Sequence, residues 1–249
     1  MKAKVGDEKK QARIEYLKIA ANYALPIFWE QAGFIKNNGT AFILDTGERV
    51  FGVTAAHVFN AYLNDWKLGI VNTCHLGNLE VPLQERLISI GTKDYIDIAT
   101  FELSKKEIKG YEPRILAGDQ SAWPPIPPQK DESVVIAGYP GAERIQIAEF
   151  VSSFGAACFN IPISSTSEYQ FGCVFEGEYW EKQFGKYLPQ DNYNLGGISG
   201  APVIALIQRE SGFVTWRLAG VAYQASNSLG EILFVNHVRL IGSKGQINT

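Results

Sequence analysis

Disulfide pairs, membrane-length apolar runs and a surplus of charge of either sign are all missing from this sequence. Cysteine occurs three times in 249 residues, as Cys74, Cys158 and Cys173. An odd, sparse set is not a disulfide framework, and without a CxxC pair there is no pattern for a structural zinc site. No metal and no cofactor is expected, and thiols left reduced fit a cytoplasmic setting. No apolar run reaches the roughly 18 residues that a membrane helix needs. The mildly apolar stretch 19–29 is broken by Asn22 and Pro26 and preceded by Asp7, Glu8 and Glu15, unlike a secretory signal. The formal net charge is −3 and charged residues make up 20% of the chain. Nothing global therefore draws the protein to nucleic acid or to an anionic membrane.

What is present is a globular composition, 46% hydrophobic, in a chain long enough for one large domain or two small ones. Residues 8–25 read as a helix: Ile14, Leu17, Ala21 and Leu25 recur at steps of three and four, and Pro26 marks its end. From residue 31 the pattern becomes that of strands. Residues 33–36, 40–46, 49–54, 68–72, 87–90 and 96–103 are rich in β-branched and aromatic residues, with turns expected at Asn37-Asn38-Gly39 and Asp45-Thr46-Gly47. Five prolines between Pro113 and Pro128 resist both helix and central strand and read as a stiff connector. Strand patterns resume at 133–137, 144–151, 171–175, 202–207, 214–222 and 231–235, and residues 236–241 read as a short closing helix. The chain thus divides into a helical segment (1–29), a first β unit (30–112), a proline-rich linker (113–132) and a second β unit (133–249). Short strands at turn-punctuated spacing point to an all-β barrel or sandwich.

Three short segments carry chemistry. Val53-Thr54-Ala55-Ala56-His57-Val58 closes an apolar strand. Tyr95-Ile96-Asp97-Ile98-Ala99-Thr100 sets an acid inside an apolar run, where a buried charge needs a partner. Gly196-Gly197-Ile198-Ser199-Gly200-Ala201-Pro202 is a glycine-rich turn before another apolar strand. A serine hydroxyl is a poor nucleophile until a base takes its proton. Histidine titrates near neutrality and suits that task. A carboxylate fixes the imidazole tautomer and stabilises the imidazolium. Glycines beside the serine let backbone N–H groups converge on an oxyanion. Together these are the parts for acyl transfer.

The same segments resemble the signature regions of the trypsin/chymotrypsin superfamily of serine proteases, above all its bacterial members without disulfides. Thr54-Ala55-Ala56-His57 is similar to the family's T-A-A-H, Asp97-Ile98-Ala99 to its D-[IL]-A, and Gly197 to Pro202 to its G-x-S-G-[GAS]-P. The order His, Asp, Ser is that of chymotrypsin. Gly138-Tyr139-Pro140 resembles the strand that opens the second barrel in many such proteases. The resemblance covers residues 30–241. It implies two antiparallel six-stranded barrels behind an N-terminal helix, with a cleft between them. It also implies His57 as general base, Asp97 as its orienter, Ser199 as nucleophile, and the N–H groups of Gly197 and Ser199 as the oxyanion hole. Tyr193, six residues before the serine, would sit at the base of the substrate pocket, with Ala222, Tyr223 and Gln224 as its wall. A protein or peptide would be the substrate. Ile198 replaces the aspartate that digestive members carry before the serine, which argues against activation by clipping.

Two other readings compete with this one. An α/β-hydrolase would need G-x-S-x-G and an alternating α and β pattern, and the sequence has neither. A protease fold kept as a binding or regulatory module stays open, because fold alone does not fix function. Cys173 is followed by valine rather than glycine and reads as a buried strand residue. His75 and His237 read as structural or surface residues.

Overall fold

A computed structural model describes residues 14–91, 93, 95–117, 123–149, 151–174, 180–181, 194–208, 214–226 and 232–248, with the backbone alone at 180, 181, 208, 225 and 226. Helix α1 spans residues 14–23. The first sheet holds β1 (Leu25–Gln31), β2 (Phe34–Asp45), β3 (Val50–Thr54), β4 (Cys74–Leu76), β5 (Leu79–Val81), β6 (Leu87–Ile90), β7 (Ala99–Phe101) and β8 (Ile115–Ala117). Its strands run β5-β4-β1-β2-β3-β7-β6, and β8 joins β2 as a parallel partner. The second sheet comprises β9 (Ser133–Gly138), β12 (Ala157–Pro162), β13 (Ser165–Thr166), β14 (Gln170–Val174), β15 (Trp180–Glu181), β16 (Pro202–Gln208), β17 (Val214–Ser226) and β18 (Ile232–His237), in the order β13-β14-β18-β17-β16-β9-β12-β15. Strands β10 (Arg144–Ala148) and β11 (Val151–Phe154) form a separate hairpin. The expected all-β, two-barrel architecture is present. Among the described residues each sheet has eight strands rather than six, because short segments join it: β5 and β13 at the edges and β8 alongside β2.

Burial on both faces explains how two curled sheets share one molecule. On β2, Ala41 and Ile43 point into the first sheet's own core, whereas Phe42 and Leu44 point into a cluster shared with the second sheet. On β9, Val134 and Ile136 fill the second sheet's core while Val135 and Ala137 meet that shared cluster. The period-two alternation of a strand thus feeds two apolar layers at once. Leu17, Ala20 and Ala24 dock the N-terminal segment onto the shared cluster, and Val238, Leu240 and Ile241 close it from the C-terminal side. Cys74, Cys158 and Cys173 lie in three different clusters, none of them disulfide-bonded. Burial raises the Cys158 and Cys173 thiols to about 12.

The structure departs from the sequence reading in five places. Helix α1 ends before Pro26 as expected, but Pro26 lies inside a strand, β1, opposite Thr40; its carbonyl accepts a hydrogen bond from Gly77 N (2.7 Å). Asn37-Asn38-Gly39 is strand, not turn. The hairpin turns one step earlier, where Ala32 (φ 50°) and Gly33 (φ 81°) supply the two left-handed residues that a tight hairpin needs. Residues 68–72 are not a strand; they follow helix α2 (Ala56–Lys67), which buries Ala56, Val58, Phe59 and Tyr62. Strand β12 was not foreseen, and the expected strand 144–151 is instead the β10–β11 hairpin.

Candidate active site

His57 stands at the second position of α2, directly after β3. A helix start leaves its first N–H groups without intrahelical acceptors. Here Asp97 Oδ1 accepts the His57 backbone N–H at 2.8 Å, and Asp97 Oδ2 lies 2.5 Å from His57 Nδ1. One carboxylate therefore caps the helix and aims the imidazole. Asp97 lies in the loop between β6 and β7, not within a long strand. Buried Ile96 and Ile98 pin it on both sides, and Ile98 O accepts Gly91 N at 2.8 Å. From the second sheet, fully buried Asn236 accepts Asp97 N at 2.8 Å and donates to Tyr95 O at 2.8 Å. The Asp97 side chain is 21% exposed and the His57 ring 53% exposed, so the base faces the cleft and the acid sits behind it.

Ser199 reaches the same cleft from the second sheet, on the turn that precedes β16. Nearly every backbone group of this turn has a fixed partner. Ile198 N donates to Leu195 O (3.0 Å), Gly200 N to Ala222 O (2.7 Å) and Ala201 N to Ile198 O (3.0 Å). The carbonyls of Gly196 and Ser199 accept from Gly141 N (2.6 Å) and Thr40 N (2.9 Å), and Gly197 O accepts from Thr40 Oγ1 (2.8 Å). Among the described residues only the N–H groups of Gly197 and Ser199, two residues apart, are left in this turn from Gly196 to Ala201 without an acceptor. Gly197 (φ 102°) and Gly200 (φ 92°) adopt the left-handed backbone that the turn requires. A Cβ on Gly200 would fall 1.9 Å from Thr40 O, so no side chain fits there.

The Ser199 hydroxyl donates to Tyr223 O at 3.0 Å and is not hydrogen-bonded to His57. A cavity of about 660 Å³ opens between the two halves, lined by His57, Asp97, Ser199, Asn194, Tyr223 and Gln224 among others. Ala222 lies behind this wall, fully buried, with its N–H and carbonyl both engaged by the Ser199 turn. Tyr193 lies outside the described residues. Burial raises the Tyr223 phenol to about 12, with the Asp97 charge adding to the shift. His75 stacks on Phe28 with centroids 4.8 Å apart, and His237 is buried. The described residues hold no cluster of His, Cys, Asp or Glu suited to a metal ion. Sequence reasoning missed Thr40, Asn38 and Asn236. The first two lie in the stretch read as turn and strand start, and their polarity inside a β pattern was the available signal.

No family model matches the chain, and no curated protein sequence matches it. Solved structures do. A serine endoprotease from Yersinia pestis superposes with a TM-score of 0.53 at 14% identity, over 90% of this chain and 63% of that one. An M. tuberculosis protease in its active form gives a TM-score of 0.48 at 17% identity, over 91% and 82% of the two chains. The chain thus spans less than two thirds of the Yersinia protein's length. At this identity the likeness shows the fold alone, a trypsin-like pair of curled antiparallel half-barrels.

Proposed function

We propose that this chain is a serine endopeptidase that cleaves peptide bonds through an acyl-enzyme. Asp97 holds the tautomer with the proton on His57 Nδ1, leaving Nε2 as the base. Ser199 Oγ leaves Tyr223 O for His57 Nε2, gives up its proton there and attacks the peptide carbonyl. The tetrahedral oxyanion is held by the N–H groups of Gly197 and Ser199. As the C–N bond breaks, the imidazolium returns its proton to the leaving amine. Water then attacks the acyl group with His57 again as base, releasing the acid and restoring Ser199. The observation that carries this reading is the doubly bonded His57–Asp97 pair beside a serine whose turn leaves two backbone donors unclaimed.

A protease fold retained as a binding module is the alternative, and the Ser199–Tyr223 hydrogen bond favours it. Digestion of a peptide library followed by sequencing of the new termini separates the two. Cleavage by the native protein, abolished in Ser199→Ala and His57→Ala, supports the peptidase. Equal cleavage by Ser199→Ala, or none by the native protein, rejects it.

A further inference from the structure

Thr40 belongs to the first sheet, yet most of its polar contacts reach into the second. In the β1–β2 register it faces Pro26, whose carbonyl is taken by Gly77 N. Thr40 N does not bond to β1 and donates instead to Ser199 O at 2.9 Å. Its hydroxyl donates to Gly197 O at 2.8 Å and accepts from Tyr139 N at 2.9 Å. Its own carbonyl accepts Thr54 Oγ1 at 2.7 Å. The residue is fully buried, so every one of these groups would be costly to leave unpaired. Next to it Asn38 Nδ2 donates to Tyr139 O at 2.8 Å, which ties the same second-sheet residue from its other side.

The two unclaimed donors of the nucleophile turn sit in the peptides 196–197 and 198–199. The first is fixed through Gly196 O by Gly141 N and the second through Ile198 O by Ala201 N. The peptide between them, 197–198, is fixed at its carbonyl by the Thr40 hydroxyl. The peptide after them, 199–200, is fixed at its carbonyl by Thr40 N. Thr40 therefore sets the angle of one donor relative to the other and the direction in which Ser199 leaves the turn.

We propose that Thr40 is the positioning residue of the oxyanion hole: a first-sheet hydroxyl that holds the second-sheet nucleophile turn in its catalytic shape. The proposal rests on the peptidase reading above for its kinetic consequence, but the shape of the turn can be read without substrate. Oxyanion stabilisation acts in the transition state and not on bound substrate. Loss of the hydroxyl should therefore lower kcat and leave KM nearly unchanged.

Thr40→Ser and Thr40→Ala differ by one hydroxyl, and Thr40→Val keeps the native shape without it. Thr40→Val and Thr40→Ala should lower kcat by about 10- to 100-fold, less than outright loss of a hole donor, and Thr40→Ser should recover most of it. In amide NMR spectra of the substrate-free proteins, the Gly197 and Ser199 resonances should move in Thr40→Val and Thr40→Ala and return in Thr40→Ser. If Thr40→Val does not fold, the serine–alanine pair decides. Unchanged Gly197 and Ser199 resonances, or a serine variant as impaired as the alanine one, would overturn the proposal. Shifted resonances in a native protein that cleaves no peptide would instead uphold the clamp and reject the peptidase.

Discussion

The two halves of the site are built by different means. In the first-sheet half the functional side chains are locked to each other: Asp97 grips His57 at both ring and backbone, while Asn236 of the second sheet holds the Asp97 backbone N–H from behind. In the second-sheet half the backbone is locked and the functional side chain is not: the Ser199 turn is bonded at nearly every peptide, while its hydroxyl rests on Tyr223 O. On the peptidase reading proposed above, the difference follows from the chemistry asked of each half. A base must be held in one tautomer and one orientation, which a carboxylate does well. A hydroxyl has to move between a resting acceptor and the base, whereas oxyanion donors must not move at all.

The sharpest way to break this comparison is to remove one group from each half and read activity and stability together. Ser199→Ala and Asp97→Asn should each cut turnover by about 10⁴-fold. Their stabilities should diverge. Ser199→Ala loses one hydrogen bond and should melt near the native temperature, whereas Asp97→Asn also weakens the cap on α2 and should melt lower. Equal melting temperatures would remove the distinction between the halves.

Next in size is Gly200→Ala. Its Cβ would meet Thr40 O at 1.9 Å at a φ of 92°, so either the turn or β2 must give way. We expect a loss of at least about 3 kcal/mol in denaturant unfolding, far above the ordinary surface substitution. Near-native stability would show that the turn is not held as rigidly as its hydrogen bonds imply.

Substrate choice should show a smaller effect. The described wall of the cavity on the second-sheet side offers Asn194, Leu195, Tyr223 and Gln224 and no carboxylate. A cation buried there would lack a partner. Matched peptides with Ala, Val, Phe, Lys or Arg on the acyl side of the scissile bond should be cleaved best with a small or medium uncharged residue. A strong preference for Arg would contradict this.

Smallest is a pH effect on stability at His237, the residue after Asn236. His237 is buried, its Nε2 is 3.0 Å from Ser167 O, and its Nδ1 has no partner. Burial, helped by Arg239, lowers its pKa below the usual value near 6.5, against the raising pull of the Ser167 and Gln170 carbonyls. The unfolded chain then binds the proton more readily than the folded one, so stability rises with pH through that window and is lost as pH falls below about 6.5. Urea midpoints at about pH 5 and pH 7.5 should differ more in the native protein than in His237→Asn. An identical pH dependence in the two would contradict it.

How legible the site was in the sequence depended on whether its parts are contiguous. His57, Asp97 and Ser199 each lie in a run whose neighbours share its purpose: small residues before a helix start, isoleucines flanking an acid, glycines around a serine. Thr40 and Asn236 act across the cleft on residues more than a hundred positions away; polarity inside a β pattern was the one local sign of Thr40, and it does not say which residues it meets. Strand β1 was hidden because proline normally ends a helix or breaks a ladder. Here it faces Thr40, whose carbonyl is taken by the Thr54 hydroxyl, so the missing donor leaves that acceptor paired. Helix α2 was hidden because its apolar positions follow a strand directly, and the change of period from two to 3.6 falls at His57 itself.

The central claim is that Ser199 is a nucleophile activated by the His57–Asp97 pair. Labelling with a fluorophosphonate probe, with the adduct located by mass spectrometry, tests it most directly. The account predicts one adduct, on Ser199, formed slowly or not at all in His57→Ala and Asp97→Asn. No labelling of Ser199 in the native protein, or labelling unaffected by loss of His57, would contradict it.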